Sequence, residues 1–132
     1  FTISFFVEIK IFSLLIIAIT FFLTSIMFAL AGFINAVFAR TFDDISIIPN
    51  FVLLPLTYLG GMFYSIDILP SFWRALSAFN PIYYMMDAFR LGFLGIGSVE
   101  LWKAFLVPIS MIIVLALVAN ALLNRGVSIK TE

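Results

Sequence analysis

The residues best suited to chemistry lie in an aromatic and apolar segment, NPIYYMMDAFR, which contains Asp87 and Arg90. Residues three positions apart share one face of a helix, so this carboxylate and guanidinium can form an ion pair. Ionisable residues deep in a membrane mark functional pathways, whereas those at headgroup level anchor a segment. The spacing therefore supports two interpretations of the pair, a gate in a membrane pathway or an anchor at its rim.

A second polar segment contains Arg40, Thr41, Asp43 and Asp44. Thr41 and Asp44 match the S/T-x-x-D/E pattern that caps the start of a helix, and acidic side chains are favourable there. Adjacent carboxylates point away from each other on a helix, so they do not form an acid/base pair. We therefore predict a short connector that starts the next helix.

The overall composition excludes several function classes. Of the 132 residues, 64% are hydrophobic and 11% are charged, whereas soluble domains are about half apolar and about a quarter charged. The net charge of zero argues against a nucleic-acid partner. There is no cysteine or histidine, which excludes disulfides, thiol chemistry and histidine catalysis. No phosphate-binding glycine loop is present, so no cofactor is predicted in this chain.

The lengths of the uncharged stretches predict how these residues are positioned. About 20 apolar residues cross a bilayer, whereas runs of about 10–14 favour re-entrant or interfacial helices. We predict an all-α polytopic transmembrane protein with two short re-entrant or interfacial helices before the last span. The predicted segments are the end of a truncated span at 1–7, a span at 11–39, the connector at 40–44, a span at 45–66, the re-entrant region at 67–99, the last span at 104–124 and a tail at 125–132.

Prolines and glycines predict where these helices bend and end. Pro55 falls inside the second span and is expected to bend it, because proline lacks a backbone donor and clashes with the preceding turn. Gly60 and Gly61 indicate a flexible or closely packed point near its end, which makes all three residues hinge candidates. Asn80 and Pro81 are a typical helix start, with asparagine as the cap and proline in the first turn. Glycines are expected to end this segment at Gly92, Gly95 and Gly97.

Small and polar residues interrupt the first span. In membrane helices such residues usually allow neighbouring helices to approach closely, which we favour over a role in lining a substrate path. They are Thr20, Thr24, Ser25, Gly32 and Asn35.

Several of these motifs occur together in a known family. The FDD connector, the PLTYLGGMFY span, the LP beginning at Leu69 and NPIYYMMDAFR resemble the C-terminal half of an ABC-2 type transporter permease of the bacterial inner membrane. The resemblance runs from about residue 28 to 95. Its most specific pattern, P-x-x-Y-x5-R, corresponds to Pro81, Tyr84 and Arg90, with Asn80 and Asp87 beside them.

The resemblance implies properties that the residues alone do not give. Family members have six spans, form dimers, and are driven by two cytosolic ATPase subunits that bind ATP and Mg. Both termini are cytoplasmic, and two short helices dip into the membrane from outside before the last span. The tail and the connector, with Arg40, Asp43 and Asp44, would then face the cytoplasm and the ATPase. Counting basic residues on each side does not choose this orientation.

The leading hypothesis is a membrane-spanning subunit that forms the pathway of an ATP-driven exporter. Its substrate would be amphiphilic, drug-like, lipid-linked or a polysaccharide. One alternative is an ion-coupled secondary carrier that uses Asp87 or Glu100 as a proton site. Another is a membrane-embedded enzyme, which the missing histidines and scattered carboxylates disfavour.

Overall fold

Helices account for nearly all the regular structure. The computed structural model describes residues 12–62 and 66–124, apart from the side chain of Ile66, and these residues contain no β-strand. The predicted segments 1–7 and 125–132 lie outside the described residues. In chain order the elements are α1 (Leu14–Phe38), α2 (Phe42–Ile48), a π turn (Pro49–Leu53), α3 (Leu54–Leu59), a 3-10 turn (Ile66–Ile68), α4 (Ser71–Ala78), α5 (Pro81–Leu94) and α6 (Leu101–Asn124).

Three helical segments of the described chain are long and apolar enough to cross a membrane. They are Leu14–Phe38, Phe42–Leu59 and Leu101–Asn124, with 25, 18 and 24 residues. At 1.5 Å per residue even the shortest is about 27 Å long, close to the hydrocarbon thickness of a bilayer. Most of their large apolar side chains are exposed, as expected for a surface that contacts lipid tails. The prediction of an all-α polytopic membrane protein is confirmed.

Hydroxyl side chains in α1 bond mainly to their own helix. Thr20 and Thr24 each donate a 2.7 Å hydrogen bond to the carbonyl four residues earlier. Thr20 is also buried, with 2% of its surface exposed, so it fits the predicted packing role. Gly32 does not, because a Cβ added there would meet nothing within 4 Å. Among the described residues, close packing is therefore seen at Thr20 and not at Gly32.

The second span begins with the predicted helix cap. The Thr41 hydroxyl accepts a hydrogen bond from the Asp44 amide at 3.3 Å, and the Asp44 carboxylate accepts one from the Thr41 amide at 3.0 Å. This reciprocal pair is a capping box, which confirms the prediction from the motif. Asn35 of α1 donates a 2.9 Å hydrogen bond to the Ile45 carbonyl, which joins the first two spans near the connector.

The same span differs from its predicted course at both ends. It starts at Phe42 rather than at residue 45, so Pro49 lies inside the helical segment and its backbone widens into the π turn Pro49–Leu53. Pro55 follows as the second residue of α3. The wider turn is a recognised way to accommodate a missing donor. The helix then ends at Leu59 rather than at residue 66.

The helix stops there because the chain turns at two glycines. The Gly60 amide bonds to the Thr57 carbonyl three residues back, which tightens the last turn. Gly61 has a φ of 73°, a left-handed conformation that other residues adopt at a cost. A Cβ at Gly60 would lie 3.0 Å from the Ile82 side chain. Gly60 therefore fits the predicted closely packed point better than the predicted flexible point.

Helix α5 is the central element of the described chain. It contacts α1, α3, α4 and α6, and its buried face includes Ile82, Met85 and Ala88. Asn80 caps its first turn by accepting a 3.0 Å hydrogen bond from the Ile82 amide, and Pro81 is its first residue. The predicted helix start is therefore confirmed.

The predicted end of α5 is correct for Gly95 and wrong for Gly92. Gly95 ends the helix in a left-handed conformation with φ 71°, whereas Gly92 lies inside it. The lack of a side chain at Gly92 instead allows α1 to approach, since an added Cβ would lie 2.7 Å from Ile17 Cγ1. The Ser13 amide also donates a 2.9 Å hydrogen bond to the Gly92 carbonyl. The start of α1 thus packs directly on α5.

Candidate functional site at the ends of the spans

Three side chains of the segment that contains α4 and α5 bond to the C-terminal end of the second span. The last carbonyls of a helix have no partner within the helix. Here side chains supply the missing donors. The hydrogen bonds run from Asn80 Nδ2 to the Leu56 carbonyl (2.6 Å), from Ser77 Oγ to the Leu59 carbonyl (3.0 Å) and from Arg90 Nη2 to the Gly61 carbonyl (2.9 Å).

Asp87 makes the complementary contact with the segment before α6. Its two carboxylate oxygens accept hydrogen bonds from the Ser98 amide at 3.0 and 3.1 Å and from the Val99 amide at 3.0 Å. Only 1% of Asp87 is exposed. A Cβ at Gly97 would approach Asp87 Oδ2 to 3.3 Å, so the missing side chain gives the carboxylate room. Asp87 thereby fixes the path of the chain into the last span.

The predicted ion pair is present but long. Arg90 Nη1 lies 3.9 Å from Asp87 Oδ1, which is beyond hydrogen-bond range. Both residues instead make their shorter contacts elsewhere, Arg90 with the Gly61 carbonyl and Asp87 with backbone amides. We call Ser77, Asn80, Asp87 and Arg90 the cap cluster, because each satisfies backbone groups at the ends of the spans. Asp87 is therefore buried rather than exposed, and whether the pair gates a pathway or anchors its rim stays a prediction.

Tyr84 joins the two short helices to each other. Its hydroxyl donates a 2.8 Å hydrogen bond to the Ala78 carbonyl at the end of α4. Asn80 and Pro81 lie in the turn between these helices and set the direction of α5. The residues singled out from NPIYYMMDAFR thus all lie on one helix and its start, where Asn80, Asp87 and Arg90 fix neighbouring backbone and Tyr84 closes the hairpin.

Comparison with known proteins identifies the family of the chain. The ABC-2 type transporter family matches residues 1–94. This chain belongs to the ABC-2 type transporter family.

Two curated relatives give the extent of the similarity. The chain is 52% identical over 122 residues to the Inner membrane transport permease YadH of Escherichia coli K12, covering 92% of this chain and 48% of that protein. It is 29% identical over 103 residues to Nodulation protein J of Rhizobium leguminosarum bv. viciae, covering 78% of this chain and 40% of that protein. The chain thus spans about half the length of the first relative. No solved structure matches it significantly.

The family assignment confirms the resemblance to an inner-membrane permease. The motif residues Pro81, Tyr84 and Arg90 belong to one helix, and the structure adds Ser77, which the sequence analysis missed. Nothing in the α4 sequence SFWRALSA distinguished this serine from Ser71, yet Ser77 is fully buried, with 0% of its surface exposed. Its partner is 18 positions away in the chain, too far for any local pattern to show.

The connector lies at the opposite end of the second span from the cap cluster. Arg40 and Thr41 donate their backbone amides to the Asp44 carboxylate, each at 3.0 Å. Asp43 is exposed beside them in the first turn. The span Phe42–Leu59 therefore has acidic side chains at its start and the cap cluster at its end, so it links the two predicted functional regions in one ABC-2 subunit.

A small charged group precedes the last span. Glu100 lies 3.3 Å from Lys103 and accepts a hydrogen bond from the Trp102 indole. These contacts, the indole hydrogen bond first, hold the pKa of the Glu100 carboxyl below its usual value. Lys103 also lies 5.2 Å from the centre of the Trp102 ring. Tryptophan and lysine at a helix end are typical of the membrane–water interface. Among the described residues there is no cluster of acidic side chains that could hold a metal ion.

Proposed function

We propose that this chain is part of the membrane subunit of an ATP-driven exporter, and that two such subunits form the pathway. Its substrate would be amphiphilic, drug-like, lipid-linked or a polysaccharide. Support comes from the match to the ABC-2 type transporter family and from three helices that could span a membrane in the described residues. In this proposal the chain is a transport subunit rather than an enzyme.

The observation that carries the proposal is the attachment of the α4–α5 hairpin to the second span by the cap cluster. Three hydrogen bonds join the hairpin to the carbonyls at the end of that span, and Asp87 joins it to the start of the last span. A short hairpin so attached must move with the spans that hold it. We infer that the hairpin lies at the outer mouth of the pathway and opens or closes it as the spans tilt.

The hinge for such a movement fits the π turn better than the glycines. The turn Pro49–Leu53 and Pro55 have no buried residue, whereas Gly60 and Gly61 are buried and lie beside the cap cluster. Irregular helical turns provide the freedom for alternating access in many transporters. We propose that Pro55 and the π turn allow the second span to bend, while Gly60 and Gly61 transmit the bend to the hairpin.

The partner and orientation follow from the same proposal. The connector with Arg40, Asp43 and Asp44 would face the cytoplasm and contact a cytosolic ATPase subunit, which would bind ATP and Mg. The tail would then also be cytoplasmic, in the inner membrane of a bacterium. A basic surface on the ATPase would complement the negative charge of the two acidic residues of the connector.

The ion-coupled alternative gains little from the position of Asp87. A proton site in a carrier must exchange with a water-filled path, whereas both Asp87 oxygens are occupied by the Ser98 and Val99 amides and the residue is 1% exposed. Glu100, the other carboxylate considered, is exposed and pairs with Lys103. The geometry therefore favours structural roles for both carboxylates.

Reconstitution of the full-length permease with its ATPase tests the proposal. Proteoliposomes would carry a fluorescent amphiphile, and its movement would be followed with ATP or with a proton gradient. We expect transport only with ATP and only when the ATPase is present. Transport driven by a proton gradient without ATP would contradict the exporter and support the carrier. Asp87→Ala and Arg90→Ala are expected to reduce ATP-driven transport or assembly.

A further inference from the structure

An open groove of about 310 Å³ lies along the exposed side of α5. Its walls are almost entirely apolar. Phe89 and Phe93 stack with their ring centres 6.5 Å apart and form one side. Among the described residues that line it, the charged group is the Arg90 guanidinium. We call this the Arg90 groove, which is lined by Met62, Met86, Phe89, Arg90, Phe93 and Leu94.

Arg90 has hydrogen-bonding capacity beyond its cap contact. A guanidinium carries five N–H donors, and the hydrogen bond to the Gly61 carbonyl uses Nη2. Its Asp87 neighbour is 3.9 Å away and directs its oxygens to backbone amides. About a third of the Arg90 side chain, 31%, remains exposed. The groove therefore contains a positively charged, planar group with free N–H donors. Such a group can bind a phosphate through two parallel hydrogen bonds.

Arg90 lies at the ends of two candidate spans. Its carbonyl partner, Gly61, follows the end of the second span at Leu59, and the neighbouring Asp87 bonds to the chain just before the last span. Both spans thus end at the level of the guanidinium. Bilayer phosphates lie near the ends of spans. Helix α5 begins beside Leu56, inside the second span, and at Arg90 it reaches Gly61, beyond the end of that span. Met86 of the groove, one helical turn before Arg90, therefore lies on the membrane side of the guanidinium.

We propose that the Arg90 groove binds an anionic phospholipid of the surrounding bilayer. The guanidinium would hold the phosphate, and an acyl chain would lie against Phe89 and Met86, toward the membrane interior. The charge in the groove favours an anionic lipid over a zwitterionic one, and its apolar walls favour a lipid over a free anion. This site does not depend on the proposed transport activity, because a bilayer lipid can occupy it without the ATPase.

Native mass spectrometry of the full-length permease tests the site. The protein would be mixed with equal amounts of phosphatidylglycerol and phosphatidylcholine with identical chains, and the retained lipids counted. We expect phosphatidylglycerol to be retained about tenfold more tightly. Both phosphates can contact the guanidinium, but the positive choline of phosphatidylcholine is repelled by the Arg90 charge.

Leu94 provides a variant that tests the charge without removing Arg90. Leu94→Glu places a carboxylate four residues from Arg90 on the same helix, where the two side chains pair. Leu94 is 61% exposed, so the change leaves packing intact. We expect this variant to lose the preference for phosphatidylglycerol, and the uncharged control Leu94→Gln to keep it. Arg90→Gln should also lose it, whereas Arg74→Gln should not, since Arg74 lies outside the groove and bonds to the Asp67 carbonyl.

Each other outcome would overturn the proposal. Equal retention of both lipids by the unaltered protein would show that charge does not select the occupant. An unchanged preference in Leu94→Glu would place the lipid elsewhere. Displacement by inorganic phosphate at millimolar concentration would show a site for a free anion. Displacement of the lipid by the fluorescent amphiphile would show that the groove is part of the transport pathway. A dimer that contains no lipid and that Leu94→Glu dissociates would show that a second copy of the chain occupies the groove.

Discussion

The side chain of Asn80 joins two helices that are separated by a turn and a short helix. Its Nδ2 donates a 2.6 Å hydrogen bond to the Leu56 carbonyl, and its Oδ1 accepts one from the Ile82 amide at 3.0 Å. The Leu56 carbonyl is available to Asn80 because the Gly60 amide, its usual partner in a helix, donates its hydrogen bond to the Thr57 carbonyl instead. One residue therefore starts α5 and completes the end of the second span.

Two substitutions separate these functions of Asn80. Asn80→Ser keeps a hydroxyl that can cap α5 but is too short to reach Leu56, while Asn80→Ala removes both contacts. Loss of a helix cap costs about 1 kcal/mol, and an unsatisfied buried carbonyl costs about 1–3 kcal/mol. We expect thermal unfolding in detergent to show the larger loss for Asn80→Ala. Equal stability of both variants and the unaltered protein would contradict the dual role.

Asp87 predicts a different pattern, because its partners are backbone amides rather than carbonyls. Asp87→Ala leaves the Ser98 and Val99 amides without their acceptor, at about 1–3 kcal/mol. Asp87→Asn keeps one acceptor oxygen and should lose less. Limited proteolysis between α5 and α6 measures the effect directly, with faster cleavage expected for Asp87→Ala. Asp43→Asn is the control, since Asp43 is an exposed acid at the far end of the second span. Cleavage at the unaltered rate in Asp87→Ala would refute the contact.

Local chemistry explains which parts of the site the sequence could predict. Asn80 with Pro81, and Thr41 with Asp44, act within four residues of one another, so their spacing alone predicts a helix start. The donor from Ser77 reaches a carbonyl 18 positions away, and that from Arg90 reaches one 29 positions away. No periodicity encodes such distances, because the turn at Gly60 and Gly61 decides which carbonyls are open.

The two ends of the second span also depend partly on local sequence and partly on backbone conformation. Hydropathy predicts that a span exists, but apolar residues continue beyond Gly61 and gave an end at residue 66. The observed end at Leu59 depends on a backbone conformation at Gly61. The π turn was also missed, since Pro49 and Pro55 predict a disturbed helix without specifying which wider turn accommodates it.

Gly92 and Gly32 form a matched pair for testing helix packing. A Cβ at Gly92 would lie 2.7 Å from Ile17 Cγ1 and 3.3 Å from the Ile17 amide nitrogen, whereas one at Gly32 would meet nothing within 4 Å. Overpacking costs about 1–3 kcal/mol, and alanine gains about 0.5–1 kcal/mol over glycine within a helix. We expect Gly92→Ala to lower thermal stability and Gly32→Ala to leave it equal or higher. A stable Gly92→Ala protein would show that α1 and α5 are not in close contact there.

The two adjacent acids of the connector separate helix capping from contact with an ATPase. Asp44 accepts hydrogen bonds from the Arg40 and Thr41 amides, whereas Asp43 lies exposed in the same first turn, so both interact with the helix dipole alike. Asp44→Ala should lower stability, because it removes the N3 half of the capping box, and Asp43→Ala should lower it far less. If the connector contacts the ATPase, both variants should weaken its association in a pull-down from membranes, although only Asp44→Ala lowers the unfolding temperature. Weaker association confined to Asp44→Ala would mean that capping alone matters, and normal association in both would place the ATPase contact outside the connector.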